Sequence, residues 1–260
     1  MKKAIIYYFS GTGNTEYTAR EFKNNFDANG YETVLKPIDF ISNDFSGEYD
    51  LYGFGYPIYA FGPPKPFNSF IENFLKNNKA NNGKAFVFTS AGGASGKSER
   101  IIGKKLKKKG FDVKGAFLIK ATSNYPASKK IKSNGLTDKI SEQVKKYIPE
   151  ILDENRKAKT KSFSMMHPIY WMFTNMGTKS FAKGLAADEK CIKCGVCVRF
   201  CPMNNISLVD DKIIFSQNCS NCMRCLHNCP KDAIQFKDKT QNLSRYHGPL
   251  GDYKPPMRKD

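Results

Sequence analysis

Residues 6–15 read IYYFSGTGNT, an apolar run followed by a turn rich in glycine and hydroxyl groups. The run predicts a buried β-strand, and the turn predicts the start of a helix. Backbone N–H groups at such a helix start can enclose a phosphate together with nearby hydroxyl and amide side chains. The stretch lacks the Gly-Lys-Ser/Thr of nucleotide triphosphatases and the third glycine of the dinucleotide fingerprint, so a monophosphate is the predicted ligand. The expected contacts come from Ser10, Gly11, Thr12, Gly13, Asn14 and Thr15.

The first 157 residues alternate short apolar runs with helical patterns, which is typical of parallel strands joined by crossover helices. The predicted strands are Lys3–Phe9, Tyr31–Pro37, Asp50–Tyr56, Lys84–Ser90 and Val113–Lys120. The predicted helices are Thr15–Asn29, Lys65–Asn78, Lys97–Lys109 and Leu136–Lys157, the last kinked at Pro149. These elements suffice for a doubly wound α/β sheet that is covered on both faces.

All eight cysteines lie between Cys191 and Cys229. They form two runs of the form Cys-x2-Cys-x2-Cys-x3-Cys-Pro, and each cysteine of the first run recurs 28 positions later (191 + 28 = 219), so the segment is an internal repeat. This spacing matches that of bacterial ferredoxins with two [4Fe-4S] clusters, in which the fourth cysteine of each run binds the other cluster. The predicted ligand sets are therefore Cys191, Cys194, Cys197 and Cys229 for the first cluster, and Cys219, Cys222, Cys225 and Cys201 for the second.

Zinc sites and disulfides are the alternatives for these cysteines. Zinc gives no reason for a third cysteine in each run or for the Cys-Pro pair. A secreted disulfide framework needs a signal peptide, but only six apolar residues follow Lys3 before the polar turn. We therefore expect a cytoplasmic protein. No window reaches the roughly 18 apolar residues of a membrane span, so no transmembrane segment is expected.

The chain is strongly basic, with 42 Lys and Arg against 24 Asp and Glu and a formal charge of +18. The densest basic run, residues 104–109, is predicted to be the solvated face of a helix. Because no aromatic residues interleave with the basic ones, nucleic acid is not an expected partner. The expected partner is a redox protein, donor or acceptor, with an acidic surface. The sequence leaves the oligomeric state open.

Four segments are expected along the chain: residues 1–157, 158–187, 188–236 and 237–260. The second is an apolar linker, rich in Met and aromatic residues, that is predicted to pack between domains. The third contains a predicted hairpin over Ile206–Phe215 and a short strand over Asp232–Phe236. The polar fourth segment is expected to be irregular. His227 is predicted to lie at the surface or beside the ligands rather than to bind iron.

The phosphate-loop region closely resembles the flavodoxin signature at Ile6, Tyr7, Tyr8, Ser10, Gly13, Thr15 and Ala19. It departs from the signature at Phe22, where an aliphatic residue is usual. The resemblance implies a sheet of order 2-1-3-4-5 that binds FMN at its carboxyl edge. It also implies that residues 56–64 and 90–96 flank the flavin ring. The residues expected there are Pro57, Tyr59, Phe61, Ala91, Gly92 and Gly93, with Tyr59 or Phe61 stacking on the ring.

The order of parts resembles the flavodoxin-ferredoxin fusion proteins of anaerobic bacteria, sometimes labelled EFR-type ferredoxins. The expected architecture is a flavodoxin-like α/β domain followed by a small α+β ferredoxin-like domain. The resemblance implies an electron-transfer iron-sulfur flavoprotein that carries FMN and two [4Fe-4S] clusters. Two alternatives remain. One is a flavin-dependent reductase of a small molecule, bound near Tyr59, Phe61 and Tyr125. The other is a flavin-free iron-sulfur module for binding or sensing. No catalytic residue is predicted.

The crossed ligand sets make a prediction for Cys229→Ala. This substitution is expected to damage the cluster of Cys191, Cys194 and Cys197 more than the cluster of Cys219, Cys222 and Cys225, because the fourth ligand lies across the repeat. Electron paramagnetic resonance of the reduced protein measures the two clusters separately. Greater damage to the cluster of Cys219, Cys222 and Cys225 would reject the crossed assignment.

Overall fold

The computed structural model describes residues 1–39, 45, 47–59, 62–78, 83–123, 134–158 and 178–258, with residues 178–180 described by their backbone alone. Within these ranges the chain forms a parallel sheet flanked by helices, followed by a smaller part with short antiparallel strands. No helix among the described residues has the length and apolar character needed to cross a membrane.

The sheet has five strands in the order β2-β1-β3-β4-β5, and each neighbouring pair is parallel. The strands are β1 (Lys2–Tyr8), β2 (Tyr31–Pro37), β3 (Leu51–Pro57), β4 (Lys84–Ala91) and β5 (Asp112–Lys120). The helices around them are α1 (Asn14–Ala28), α2 (Lys65–Asn77), α3 (Ser98–Lys108) and α4 (Leu136–Leu152). The predicted doubly wound fold and its strand order are thus confirmed.

Two hydrophobic cores lie on opposite faces of the sheet. Because successive side chains of a strand alternate between faces, Ile5 and Tyr7 of β1 enter one core and Ile6 enters the other. The first core is completed by α2 and α3, and the second by α1 and α4. Burial on both faces explains why the strands appear in the sequence as nearly continuous apolar runs. Gly55 is required in β3 because a Cβ there would collide with the ring of Phe88.

Helix α4 ends at Leu152, five residues before the predicted end at Lys157. Pro149 lies in its last turn, and the chain then returns to the edge of the sheet, where Ala158 N–H donates to the Val113 carbonyl at 2.9 Å. The buried ammonium of Lys114 draws this segment inward by donating to the carbonyls of Glu154 (2.7 Å) and Arg156 (3.3 Å). The sequence pattern did not reveal this contact, because a lysine in a strand is usually solvated.

The smaller part contains a helix at Thr178–Lys183, β6 (Leu185–Ala187), a helix at Val196–Phe200, β7 (Ile206–Val209), β8 (Lys212–Phe215), a helix at Arg224–His227 and β9 (Ile234–Phe236). The predicted hairpin is present as the antiparallel pair β7 and β8. Strand β9 pairs with β6, which lies inside the segment predicted as linker. The Met- and aromatic-rich stretch of that linker, residues 163–173, lies outside the described residues.

The buried contacts of Lys114 generate a stability prediction. Its ammonium also pairs with Asp112 at 2.8 Å, and its side chain is almost fully buried. Lys114→Met keeps the apolar stem but leaves the Glu154 and Arg156 carbonyls without this donor, so the free energy of unfolding should fall by about 2 kcal/mol. Chemical denaturation followed by circular dichroism measures the change. Lys145→Met, at an exposed position of α4, is the matched control and should leave stability nearly unchanged.

Candidate functional site: two cysteine-lined cavities against a buried phosphate loop

The two cysteine runs fold as a repeat in the backbone as well as in sequence. Left-handed residues occur at three pairs of positions 28 apart, for example Lys193 and Asn221, both with φ of 58°. The other two pairs are Gly195 (68°) with Met223 (62°), and Asn204 with Asp232, both at 51°. Each run thus makes the same turns around its cysteines. Met223 adopts a conformation for which glycine, as at position 195, is the usual residue.

The eight cysteines surround two separate cavities. One is lined by Cys191, Cys194, Cys197 and Cys229. The other is lined by Cys201, Cys219, Cys222 and Cys225. Each cavity therefore takes three cysteines from one run and the fourth from the other. We call them the first and the second cavity. No three His, Cys, Asp or Glu side chains in the described ranges come together around a single-ion site.

Backbone N–H groups point at sulfur in both halves of the repeat. Asn205 N–H donates to Cys201 Sγ and Ala233 N–H donates to Cys229 Sγ, each at 3.3 Å. These two donors are again 28 positions apart. Asn221 N–H donates to Cys219 Sγ at the same distance. Such bonds stabilise thiolate ligands and adjust the reduction potential of a cluster.

Burial raises the pKa of four of the cysteine thiols, those of Cys197, Cys219, Cys222 and Cys225. Burial, reinforced by Cys229, raises the pKa of Cys197 to about 11. Burial and Cys222 raise the pKa of Cys219 to about 12. Because iron binds thiolates, filling the cavities releases the thiol protons.

The predicted phosphate loop, residues 10–15, connects β1 to α1 and is buried throughout. Gly13 has a φ of 100°, a left-handed conformation that turns the chain into the helix. Its N–H donates to the Ser10 hydroxyl at 3.0 Å, and the Thr15 hydroxyl lies 2.6 Å from that of Ser90. The donor set, with three hydroxyls at a helix N-terminus, fits a monophosphate. The side-chain Nδ2 of Asn14 donates a hydrogen bond to the Thr122 carbonyl.

The cover over the phosphate loop comes from the C-terminal segment of the same chain. Tyr253 donates from its hydroxyl to the Ser10 carbonyl at 2.7 Å, and the Tyr246 hydroxyl donates to Asn14 Oδ1. A Cβ on Gly13 would lie 2.7 Å from Gly248 Cα and 2.8 Å from Tyr253 Cβ. The predicted irregular tail is therefore packed against the loop, and its tyrosines are buried.

Two residues that line the second cavity, Cys222 and Arg224, contact the phosphate loop. A Cβ on Gly11 would lie 2.5 Å from the Cys222 carbonyl oxygen and would collide with the Tyr59 hydroxyl. Arg224, between Cys222 and Cys225, donates from Nη2 to the Ser10 carbonyl at 2.6 Å and forms an ion pair with Asp39. Because Gly11 and Gly13 have no side chains, Cys222 and Tyr253 can pack directly against the loop backbone.

The predicted ring-flanking residues lie at the carboxyl ends of their strands. Pro57 ends β3 and Ala91 ends β4, followed by the exposed Gly92 and Gly93. Tyr59 pairs through its backbone with Gly62, and burial together with nearby Cys222 raises the pKa of its hydroxyl. Its hydroxyl is directed toward Gly11 and the second cavity. Phe61 and Tyr125 lie outside the described residues.

Sequence reasoning missed Asp39, Arg224, Tyr246 and Tyr253. It also allowed His227 a surface position, which is wrong: His227 is fully buried, and its Nδ1 accepts the Tyr246 N–H at 3.2 Å. Only Arg224 left a sequence signal, since the equivalent position of the first run is Val196. The tail tyrosines have no periodicity and no motif to indicate a buried contact.

The C-terminal cover makes a prediction for Tyr253→Ala. Loss of the ring and hydroxyl exposes Gly13 and removes one donor from the Ser10 carbonyl, so amide hydrogens of residues 11–15 should exchange with solvent faster. Hydrogen exchange with mass spectrometry measures this. Tyr17→Ala, on a half-exposed side chain of α1, is the control. Unchanged exchange in the loop of Tyr253→Ala would show that the segment does not close it.

Two family models match the chain: Flavodoxin over residues 6–133 and 4Fe-4S dicluster domain over residues 190–233. An uncharacterized protein of Methanocaldococcus jannaschii is 35% identical over 127 residues, which are 48% of this chain and 79% of that protein. A ferredoxin of Methanothermococcus thermolithotrophicus is 38% identical over 48 residues, 18% of this chain and 80% of the ferredoxin. The crystal structure of oxidised flavodoxin 1 from Bacillus cereus is 20% identical, covers 57% of this chain and 98% of its own, and has a TM-score of 0.45.

A flavodoxin domain implies FMN, and a dicluster domain with eight cysteines implies two [4Fe-4S] clusters. The residues present fit both kinds of group, through the hydroxyls of the phosphate loop and the two cysteine-lined cavities. The chain therefore combines a flavodoxin domain at residues 6–133 and a 4Fe-4S dicluster ferredoxin domain at residues 190–233 in one polypeptide.

Proposed function

We propose that this electron-transfer iron-sulfur flavoprotein exchanges electrons between its flavin and an external redox protein by way of its two clusters. When bound, FMN supplies one- or two-electron chemistry and each cluster supplies single-electron chemistry. The chain's own residues bind these groups and keep them near one another. The hydroxyls of Ser10, Thr12 and Thr15 are the proposed phosphate contacts, and the eight cysteines are the proposed iron ligands, in the crossed sets.

The contact between Cys222 and the phosphate loop carries the proposal. The Cys222 carbonyl oxygen approaches Gly11 so closely that a Cβ there would lie 2.5 Å away. A proposed cluster ligand and a residue of the proposed phosphate-binding loop are thus in direct contact, without an intervening layer of side chains. Short distances of this kind suit electron transfer, whereas a purely structural cluster needs no such contact.

The first cavity supports an exit toward the outside partner. Cys194 is exposed, and the neighbouring Ile192 has 56% of its surface accessible. Ile214 of β8 is also exposed. In contrast, Cys222 of the second cavity is buried against the flavodoxin domain. An apolar surface beside an exposed cluster is a suitable docking site for a redox protein, and the formal charge of +18 favours an acidic one.

The reductase alternative has weaker support. The Tyr59 hydroxyl is directed at Gly11 and Cys222 rather than at an open substrate site. The other two residues proposed for a substrate, Phe61 and Tyr125, lie outside the described residues. A reductase also requires a proton donor near the ring, and the sequence motifs provide no evident candidate.

Two measurements on anaerobically purified protein test the proposed function. The protein is expected to contain FMN, iron and sulfide, and to exchange electrons with redox proteins without saturable turnover of a small molecule. A panel of protein and small-molecule acceptors provides the comparison. Protein that has iron and sulfide but binds no FMN after reconstitution would refute the flavin part. Saturable reduction of one small molecule would favour the reductase instead.

A further inference from the structure

We propose that Arg224 is a positioning residue: its buried ion pair with Asp39 holds the second cavity against the phosphate loop. The second cluster, rather than the first, is then the one that exchanges electrons directly with the flavin. This inference rests on the proposed function and specifies which cluster and which residues join the two domains.

The internal repeat identifies Arg224 as an asymmetric feature. Shifting its position by 28 residues gives Val196, which stands at the same place between two cysteines of the first run. The backbone is alike at both places, because the preceding residues, Gly195 and Met223, share a left-handed conformation. Formation of a cluster therefore does not require an arginine at this position. An arginine at this position in the second half alone indicates a role that is specific to the second half of the repeat.

The guanidinium of Arg224 contacts three residues of the flavodoxin domain. Nη1 and Nη2 donate to the two carboxylate oxygens of Asp39 at 2.5 and 3.1 Å. Nε and Nη2 donate to the Ser10 carbonyl at 3.1 and 2.6 Å. The guanidinium carbon also lies 4.6 Å from the centre of the Phe9 ring. A planar fork with several donors, which lysine lacks, is needed for this set of contacts.

Burial makes the pair a rigid junction. The side chains of Arg224 and Asp39 are each only 1% exposed. Two charges removed from water are tolerated only when their geometry and remaining hydrogen bonds are satisfied together. Sliding of one domain over the other would leave both charges buried and mispaired, so such displacements are disfavoured. Ser10, which accepts from Arg224, belongs to the phosphate loop itself, so the junction fixes the cavity relative to that loop.

The position of Arg224 in its own domain completes the argument. It directly precedes Cys225 and lines the second cavity together with Cys222. Arg224 and Cys222 of the second cavity contact the flavodoxin domain, whereas Cys194 of the first cavity is exposed to solvent. Because Arg224 lines the second cavity and its guanidinium binds the phosphate loop, it fixes that cavity, and not the first, at the flavin-binding edge.

The test uses FMN-loaded holoprotein with intact clusters. The flavin is reduced by a light pulse, and bleaching of the clusters gives the rate of internal transfer. Arg224→Met should slow this transfer several-fold, since the rate of electron tunnelling falls exponentially as the distance between two redox groups grows. Arg224→Lys, which retains charge without the fork, should fall in between. Arg199→Met, at an arginine between two cysteines of the first run, is the matched control and should transfer at the wild-type rate.

A double variant covers the case in which Arg224→Met fails to fold. Asp39→Leu with Arg224→Met leaves no unpaired buried charge, so it should retain FMN, iron content and reduction of the clusters by dithionite. It should still show slow internal transfer. Electron transfer from flavin to cluster at the wild-type rate in the double variant would overturn this inference but leave the proposed function intact. Wild-type protein without any flavin-to-cluster transfer would overturn the proposed function, and this inference with it.

Discussion

The close approach of later parts of the chain to Gly11 and Gly13 is the constraint on which the arrangement of this protein depends. At Gly11 the wall of the second cavity meets the phosphate loop, and at Gly13 the C-terminal segment does. A side chain at either position would push these surfaces apart. The two glycines proposed for close backbone contact with a phosphate are therefore also the glycines that the chain needs for its own packing.

Because the second cavity packs against Gly11, the two halves of the cysteine repeat have different surroundings. The halves share turns, sulfur hydrogen bonds and crossed cysteines, so their internal chemistry is alike. They differ in the burial of equivalent residues. Arg224 and Cys222 are buried against the flavodoxin domain, whereas their counterparts Val196 and Cys194 are half-buried and exposed. The two cavities are alike in their cysteines but differ in position. Arg224 lies between the second cavity and the proposed flavin-binding edge, whereas the first cavity lies at the surface.

The extent of successful prediction differs between the two domains. In the flavodoxin domain, apolar runs and helical spacing predicted the five strands of the sheet, because a strand buried on both faces must be apolar along its length. The order of these strands was predicted by the resemblance to flavodoxins. In the ferredoxin domain, the cysteine spacing predicted which residues surround each cavity. The end of α4, the burial of His227 and the packing of Tyr246 and Tyr253 were not predictable, since each depends on contacts between segments distant in sequence.

The sequence by itself determined the local chemistry: the strand, loop and helix of the phosphate site, the repeated cysteines, and the two domain families. Periodicity and spacing carry this information because neighbouring residues in the chain form each of these units. Only the tertiary structure decided that the C-terminal segment closes the phosphate loop and that Asp39 pairs with Arg224. These contacts span up to 243 positions, and a buried ion pair or a tyrosine over a glycine leaves no regular pattern in sequence.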